Sequence, residues 1–338
     1  MISGHGNNIY QFDRQSIKAD FSSNIAFNNH SHLILSHLSE NMDALCNYPD
    51  PMATSLTARL ASTYGVTPEE ILVTNGSAEA FYLVAHYLGE GCRTAIVTPS
   101  FAEYEDSCRL HKHSISFIGF DELRSISLGD FDTLWLASPN NPDGKRIPIA
   151  QIEEIASKNR DCKIILDRAY NELSIDAERY CTLPSNVILI ESFTKLYGVP
   201  GLRLGYIVAS PEIIASLNTM RPPWSVNSLS LVAGEYILQH SEALQPDLRE
   251  LIGESLYLQE AISLIGGYRV TPSGCNFFLV EMLNGRVAAD LYRYLLEEHG
   301  LLIRDASNFR GLTPRHFRVA AQQRHLNDKL ITALKEWR

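Results

Sequence analysis

Ser192-Phe193-Thr194-Lys195 follows an apolar run, and Arg203 comes eight residues later in Pro200-Gly201-Leu202-Arg203-Leu204-Gly205-Tyr206. A lysine amine forms an imine with an aldehyde, and hydroxyls beside a guanidinium hold a phosphate whose oxygens match the arginine fork. Asp167 closes the run Lys163-Ile164-Ile165-Leu166-Asp167 and offers a carboxylate for a heterocyclic nitrogen, keeping the ring protonated as an electron sink. Tyr170, three residues on, can reach an oxygen of the same ring from the following loop. Asn75-Gly76-Ser77-Ala78-Glu79 sits where a strand turns into a helix, so free N–H groups and the helix dipole point at an anion. Phe101, in Thr98-Pro99-Ser100-Phe101, offers a flat apolar face, and Asn141, in Ser138-Pro139-Asn140-Asn141-Pro142, a hydrogen-bond donor. Taken singly, Asp167 has a strand-terminal cap as its lesser reading, while Phe101 reads more readily as core and Asn141 as a turn residue. Together, in this chain order, they supply what a pyridoxal 5′-phosphate enzyme needs: an imine lysine, a partner for the ring nitrogen, a phosphate cradle and a stacking face.

Alternating strands and helices must position these residues. The pattern predicts strands at Ile71–Thr74, Thr94–Thr98, Ser114–Phe120, Thr133–Ala137, Lys163–Leu166, Val187–Glu191 and Tyr206–Ala209. Between them it predicts helices at Ala78–Leu88, from Ala102 to about His111, at Ile149–Ser157 and at Pro211–Asn218. Several of the strands are apolar on both faces, as in a mostly parallel sheet covered by helices. From about Ser228 the texture changes. Long helical patterns at Ser228–Gln239 and Glu242–Leu264 precede a Gly266–Gly267 break. A strand (Phe277–Glu281), a helix (Val287–His299), short strands at Leu302–Arg304 and Phe317–Ala320 and a final helix follow, which is α+β character. Residues 1–40 lack periodicity and read as an irregular arm. The expected organisation is an arm (1–40) packing with the small domain, a large domain (41–232) and a small C-terminal domain (233–338).

This order of motifs resembles the fold-type I aminotransferase superfamily, and within it the histidinol-phosphate aminotransferase branch, along nearly the whole chain. The resemblance implies an α/β fold: a large domain with a mostly parallel seven-stranded sheet between helices, and a smaller α+β domain joined by the N-terminal arm. It implies that Lys195 is the Schiff-base lysine, that Asp167 pairs with the pyridine nitrogen, and that Asn141 and Tyr170 contact the 3′-oxygen. Phe101 would stack, and Gly76, Ser77, Ala78, Ser192, Thr194 and Arg203 would lie at the phosphate. Tyr48, in Asn47-Tyr48-Pro49-Asp50-Pro51, matches a tyrosine lent to the neighbouring subunit's phosphate, which implies a homodimer with shared sites. His5-Gly6-Asn7, the segment around Asn24, Ser100–Tyr104, Pro223–Asn227, Leu302–Asp305 and Phe317–Ala320 look most like the L-threonine-O-3-phosphate decarboxylase family. There His5, Gly6, Asn24 and Arg304 would hold a substrate phosphate and Arg318 its carboxylate. The implied reaction yields (R)-1-amino-2-propanol O-phosphate, a cobalamin side-chain precursor. Two departures stand out. The usual D-E-A-[YF] reads Asp167-Arg168-Ala169-Tyr170, and the usual N-P-T-G reads Asn141-Pro142-Asp143-Gly144. An Asp143–Arg168 salt bridge would reconcile them.

The formal charge of −10 argues against nucleic acid or an anionic membrane as the main partner, so an anionic substrate must be drawn by a local positive site. The polar N-terminus lacks a signal-peptide core, and no apolar run approaches the roughly 18 residues of a membrane span. The 6 cysteines are scattered without a CxxC pair, which suits a reduced, cytoplasmic protein without disulfides or a zinc site. His30/His32 and His111/His113 lack acidic or cysteine companions and read as surface histidines rather than metal ligands. A histidinol-phosphate:2-oxoglutarate aminotransferase shares every cofactor residue and remains the rival reading. A cofactor-binding regulator would carry an added DNA-binding module, which this pattern lacks.

Overall fold

A computed structural model of the chain describes residues 16–337 apart from 28, 125, 179 and 181. Its strands in chain order are β1 (Ala19–Asp20), β2 (Ile71–Thr74), β3 (Arg93–Thr98), β4 (Ser114–Gly119), β5 (Thr133–Ala137), β6 (Lys163–Asp167), β7 (Val187–Ser192) and β8 (Gly205–Val208), then β9 (Tyr268–Val270), β10 (Phe277–Met282), β11 (Leu301–Leu302), β12 (Arg304–Asp305) and β13 (His316–Ala320). Strands β2 to β8 form a seven-stranded sheet of order β2-β8-β7-β6-β5-β3-β4. It is parallel except at β8, which runs antiparallel to both β2 and β7. Every residue of β2 and β5 is buried, so side chains on both faces of these strands need helical cover.

That cover comes from two helical layers. The helices α1 (Ser31–Glu40) and α2 (Thr54–Tyr64) lie on one face and α3 (Gly76–Leu88) and α4 (Ala102–Leu110) on the other. The helix α5 (Ile149–Lys158) joins the first layer and α6 (Pro211–Met220) the second, while α7 (Ser228–Gln239) packs Ala233 and Ile237 beside Leu56 and Leu60 of α2 in the first. After the short α8 (Ser241–Leu244), the helices α9 (Leu248–Ser263), α10 (Ala288–Tyr294) and α11 (Arg324–Glu336) back a second antiparallel sheet, β12-β13-β10-β9. Leu258, Ile262, Leu291 and Leu330 share a buried cluster with Phe278 and Val280 of that sheet. The arm joins here as a strand: β1 pairs in parallel with β11, and Phe21 is buried in the same cluster. Gly300, at φ +71°, lets the arm come close, because a Cβ there would collide with the Ser16 carbonyl.

The expected fold class is the observed one, with differences in detail. Residues 31–40 are helical rather than irregular. Only Ile34 and Leu38 of this helix are buried, while Leu33 and Leu35 are exposed and blur the period. The single helix expected at Glu242–Leu264 is two. Pro246 lies between them, and Asp247 accepts bonds from the amides of Arg249 (2.9 Å) and Glu250 (3.0 Å), which starts a fresh helix. The short strand expected at Leu302–Arg304 also divides, its halves pairing with the arm and with β13. His113 is not at the surface: its ring bonds Thr94 Oγ1 at 2.8 Å and the Ala85 carbonyl at 2.9 Å in the core. Among the described residues no helix is long and apolar enough to cross a membrane.

Candidate active site

In an open α/β sheet, ligands bind beyond the carboxyl ends of the parallel strands. A cavity of about 590 Å³ lies there in this fold. Phe101 reaches it just past β3, Asn141 past β5, Asp167 at the end of β6, and Ser192, Thr194 and Lys195 at and after the end of β7. Ser77 and Ala78 from the first turn of α3, Tyr170, Arg203, Asn24, Arg304 and Arg318 complete the wall, with Arg304 and Arg318 arriving from the second sheet.

Lys195 is half-buried in the cavity wall, and its amine makes no hydrogen bond or ion pair among the described residues. Burial, reinforced by the Arg203 and Arg318 charges and opposed by Asp167, lowers its pKa to about 8. Near neutrality a fraction of the amine is therefore unprotonated and nucleophilic. Asp167 is buried, which pushes its carboxyl pKa up. Two donors oppose that: the Tyr104 hydroxyl at 2.5 Å from Oδ2 and the Ala169 amide at 2.8 Å from Oδ1. The Tyr170 phenol is pushed up to about 12 by desolvation, so it stays a neutral donor.

The cradle at α3 is built from backbone. Gly76 has φ +74°, and a Cβ there would come 2.8 Å from Arg203 Nη2. Arg203 itself is left-handed at φ 55°, which turns its side chain back against the helix start. A Cβ on Gly205 would lie 2.7 Å from the Ser77 amide, so β8 and the first turn of α3 approach only because that position is glycine. The Asn75 side chain makes no capping bond to that turn. Ser192 Oγ and Thr194 Oγ1 are 2.8 Å apart across from it.

Opposite the lysine, Arg304 and Arg318 are direct cross-strand partners in β12 and β13. Both are buried, and burial together with their mutual repulsion brings the Arg304 pKa down to about 10; burial brings Arg318 to about 10. Arg318 donates to Asn141 Oδ1 (2.5 Å) and to the Ser22 carbonyl (2.5 Å). Arg304 donates to Asn308 Oδ1 (2.7 Å) and to the Asp305 carbonyl, and lies 5.1 Å over the Phe309 ring. Neither guanidinium ends in an ion pair with a carboxylate among the described residues. Two buried like charges facing one cavity call for an anion. Beside them the amide of Asn24 is buried without a hydrogen-bond partner among the described residues.

Two expectations fall elsewhere. His5 and Gly6 lie outside the described residues. Tyr48 is 84% exposed, 5.2 Å from the Trp224 ring, and does not line this cavity. The expected Asp143–Arg168 salt bridge is absent. Asp143 accepts from Asn140 Nδ2 at 2.8 Å, with Lys145 4.0 Å away, while Arg168 faces Glu191 at 3.6 Å and stacks 5.4 Å from Tyr180. Arg168 follows Asp167 along an extended backbone and so emerges on the other side of the sheet edge, out of reach of the β5 loop. Sequence reasoning missed the role of Tyr104, three residues beyond Phe101. It also missed Arg310, whose guanidinium pairs with Glu105 (2.8 Å) and covers Phe117 (3.9 Å) at the cavity mouth. The aromatic spacing Phe101-x-x-Tyr104 at a helix start was a usable signal for the first; nothing local pointed to the second.

The residues present fit pyridoxal 5′-phosphate. A half-buried amine without a hydrogen bond among the described residues suits its aldehyde, a donor-supported carboxylate its ring nitrogen, and the α3 start with Ser192, Thr194 and Arg203 its phosphate. A family model described as aminotransferase class I and II matches residues 16–334. The threonine-phosphate decarboxylase of Salmonella typhimurium is 33% identical over 94% of this chain and 90% of that protein. Among solved structures, the L-threonine-O-3-phosphate decarboxylase of Porphyromonas gingivalis superposes with a TM-score of 0.90 at 35% identity, over 94% of this chain and 98% of that one. The histidinol-phosphate aminotransferase of Clostridium acetobutylicum superposes at 0.84 with 28% identity, over 94% and 98%. With that match running almost end to end, the chain belongs to the aminotransferase class I and II family, whose cofactor is pyridoxal 5′-phosphate.

Proposed function

We propose that this protein decarboxylates L-threonine O-3-phosphate, releasing CO2 and (R)-1-amino-2-propanol O-phosphate, a precursor of the cobalamin side chain. The observation that carries the reading is the buried Arg304–Arg318 pair, two guanidiniums on adjacent strands that face the cavity without carboxylate partners among the described residues. A substrate with a phosphate at one end and a carboxylate at the other supplies both missing charges. The similarity to two threonine-phosphate decarboxylases supports the same choice.

When bound, pyridoxal 5′-phosphate takes into its ring the electron pair left by the bond that breaks at Cα. The protein's own residues decide which bond that is. Arg304 and Asn24, with His5 and Gly6 of the arm, hold the substrate phosphate. Arg318, fixed by Asn141 and the Ser22 carbonyl, holds the carboxylate, so the molecule is pinned at both ends and its orientation at Cα is set. Phe101 would stack on the cofactor ring, Asn141 and Tyr170 would contact its 3′-oxygen, Asp167 would keep its nitrogen protonated, and Gly76, Ser77, Ala78, Ser192, Thr194 and Arg203 would hold its phosphate. Lys195 Nζ, which would hold the cofactor aldehyde, would also be placed to carry a proton to Cα. The reading extends to a cytoplasmic homodimer in which exposed Tyr48 serves the neighbouring subunit's phosphate site.

Incubation with L-threonine O-3-phosphate is expected to release one CO2 per amine product. Formation of glutamate and no CO2, from histidinol phosphate with 2-oxoglutarate, would replace this reading by the transaminase.

A further inference from the structure

A buried carboxylate beside a cofactor ring faces a choice. Desolvation favours its neutral, protonated form, yet its task requires it to be ionised so that the proton stays on the ring nitrogen. Asp167 is buried, and the nearby cation that could hold its charge, Lys195, is the amine consumed by imine formation. What remains to stabilise the anion comes from two hydrogen bonds. The Ala169 amide occupies Oδ1 at 2.8 Å, a local turn bond that follows from the backbone. The Tyr104 hydroxyl occupies Oδ2 at 2.5 Å and comes from a different element, 63 residues earlier in the chain.

Tyr104 is built to make this bond. It sits in the first turn of α4, 1% exposed, held edge-on by Phe81 (5.0 Å between centroids) and Phe101 (6.0 Å) and tilted against Trp135 (6.0 Å). Its own phenol is pushed well above its ordinary range by burial and by the Asp167 charge, so it remains protonated and can only donate to the carboxylate. The same packing couples it to Phe101, so one short helix start orders both the stacking face and the support of the carboxylate.

We propose that Tyr104 is a positioning residue that keeps Asp167 ionised and aimed, and thereby keeps the proton on the nitrogen of the cofactor ring. This rests on the assignment of Asp167 to that nitrogen. With the hydroxyl removed, the carboxylate loses one of its two donors and the proton moves from the ring toward Asp167. A hydrogen bond to a charged group of this kind shifts such an equilibrium by roughly tenfold to a hundredfold.

The test uses the full-length holoenzyme loaded with pyridoxal 5′-phosphate labelled with 15N in the ring. Tyr104→Phe keeps the packed ring and removes only the hydroxyl; an unchanged melting temperature of the apoprotein confirms that it folds. Tyr82→Phe, which loses a hydroxyl bonded to Glu103 at 2.9 Å on a neighbouring helix, is the control. Wild type and Y82F are expected to give the 15N resonance of a protonated pyridine. Y104F is expected to move toward the unprotonated position, with kcat reduced roughly tenfold or more and KM for substrate unchanged. A protonated nitrogen in Y104F identical to wild type overturns this inference alone. An unprotonated nitrogen in wild type overturns it together with the assignment of Asp167.

Discussion

Arg304 and Arg318 carry the most information per residue in this site. Buried guanidiniums that lie side by side cost folding free energy unless an anion joins them, so on the proposed reading the pair would set a preference for an anionic substrate. Replacing Arg304 by Ala is expected to raise KM for phosphothreonine by roughly tenfold to a hundredfold, the worth of one or two charge-assisted hydrogen bonds, with kcat less affected. Steady-state kinetics on phosphothreonine and on unphosphorylated threonine check this; equal losses on both substrates would remove Arg304 from the phosphate. Glu191 is a buried carboxyl on β7, beside Arg168 at 3.6 Å. Burial pushes its pKa up to about 8 despite Arg168, and Tyr64 donates to it at 3.1 Å. A carboxyl raised on folding is most stabilising when protonated. Its contribution is whole below the unfolded value near 4.5 and is lost as pH climbs to about 8. Compared with Glu191→Gln, wild type is therefore expected to lose stability between about pH 5 and pH 8 and to run parallel above that. Thermal melts of the two proteins across that range would measure the difference.

Elements explain which parts of the site were legible beforehand. The strand-end residues Asp167, Asn141 and Lys195 were readable because parallel strands deliver their C-terminal residues to one edge whatever lies between them. The α3 start was readable from Asn75-Gly76-Ser77, and its glycine is required: Gly76 sits at φ +74° against Arg203. Gly76→Ala is expected to strain the turn, displace Arg203 and weaken cofactor affinity by roughly tenfold, measured by titrating apoprotein with cofactor. The adjacency of Arg304 and Arg318 was not readable, because register in an antiparallel pair spanning a loop of residues 306–315 leaves no local trace. The Arg168 partner was misjudged for a related reason. Two departures in one sequence invited pairing, while alternation along β6 and its continuation sends Asp167 and Arg168 to opposite sides. Helix α1 was missed because only Ile34 and Leu38 face inward.

At the scale of the whole molecule, the cavity is closed by parts from both sheets, and Arg310 to Glu105 is one bond across its mouth. Tyr48 and Trp224 lie outside it, exposed and in contact with each other. If sites are shared, mixing inactive Lys195→Ala protein with Tyr48→Ala protein would create hybrid dimers holding one intact site, and activity above either parent would appear after subunit exchange. Activity that stays at the sum of the parents, with exchange verified by mass, would make each site self-contained. Beneath all of this lies one covalent assignment. Borohydride reduction of the cofactor-loaded protein, followed by peptide mapping, is expected to put a single stable pyridoxyl adduct on Lys195. No adduct, or an adduct on a different lysine, would contradict it.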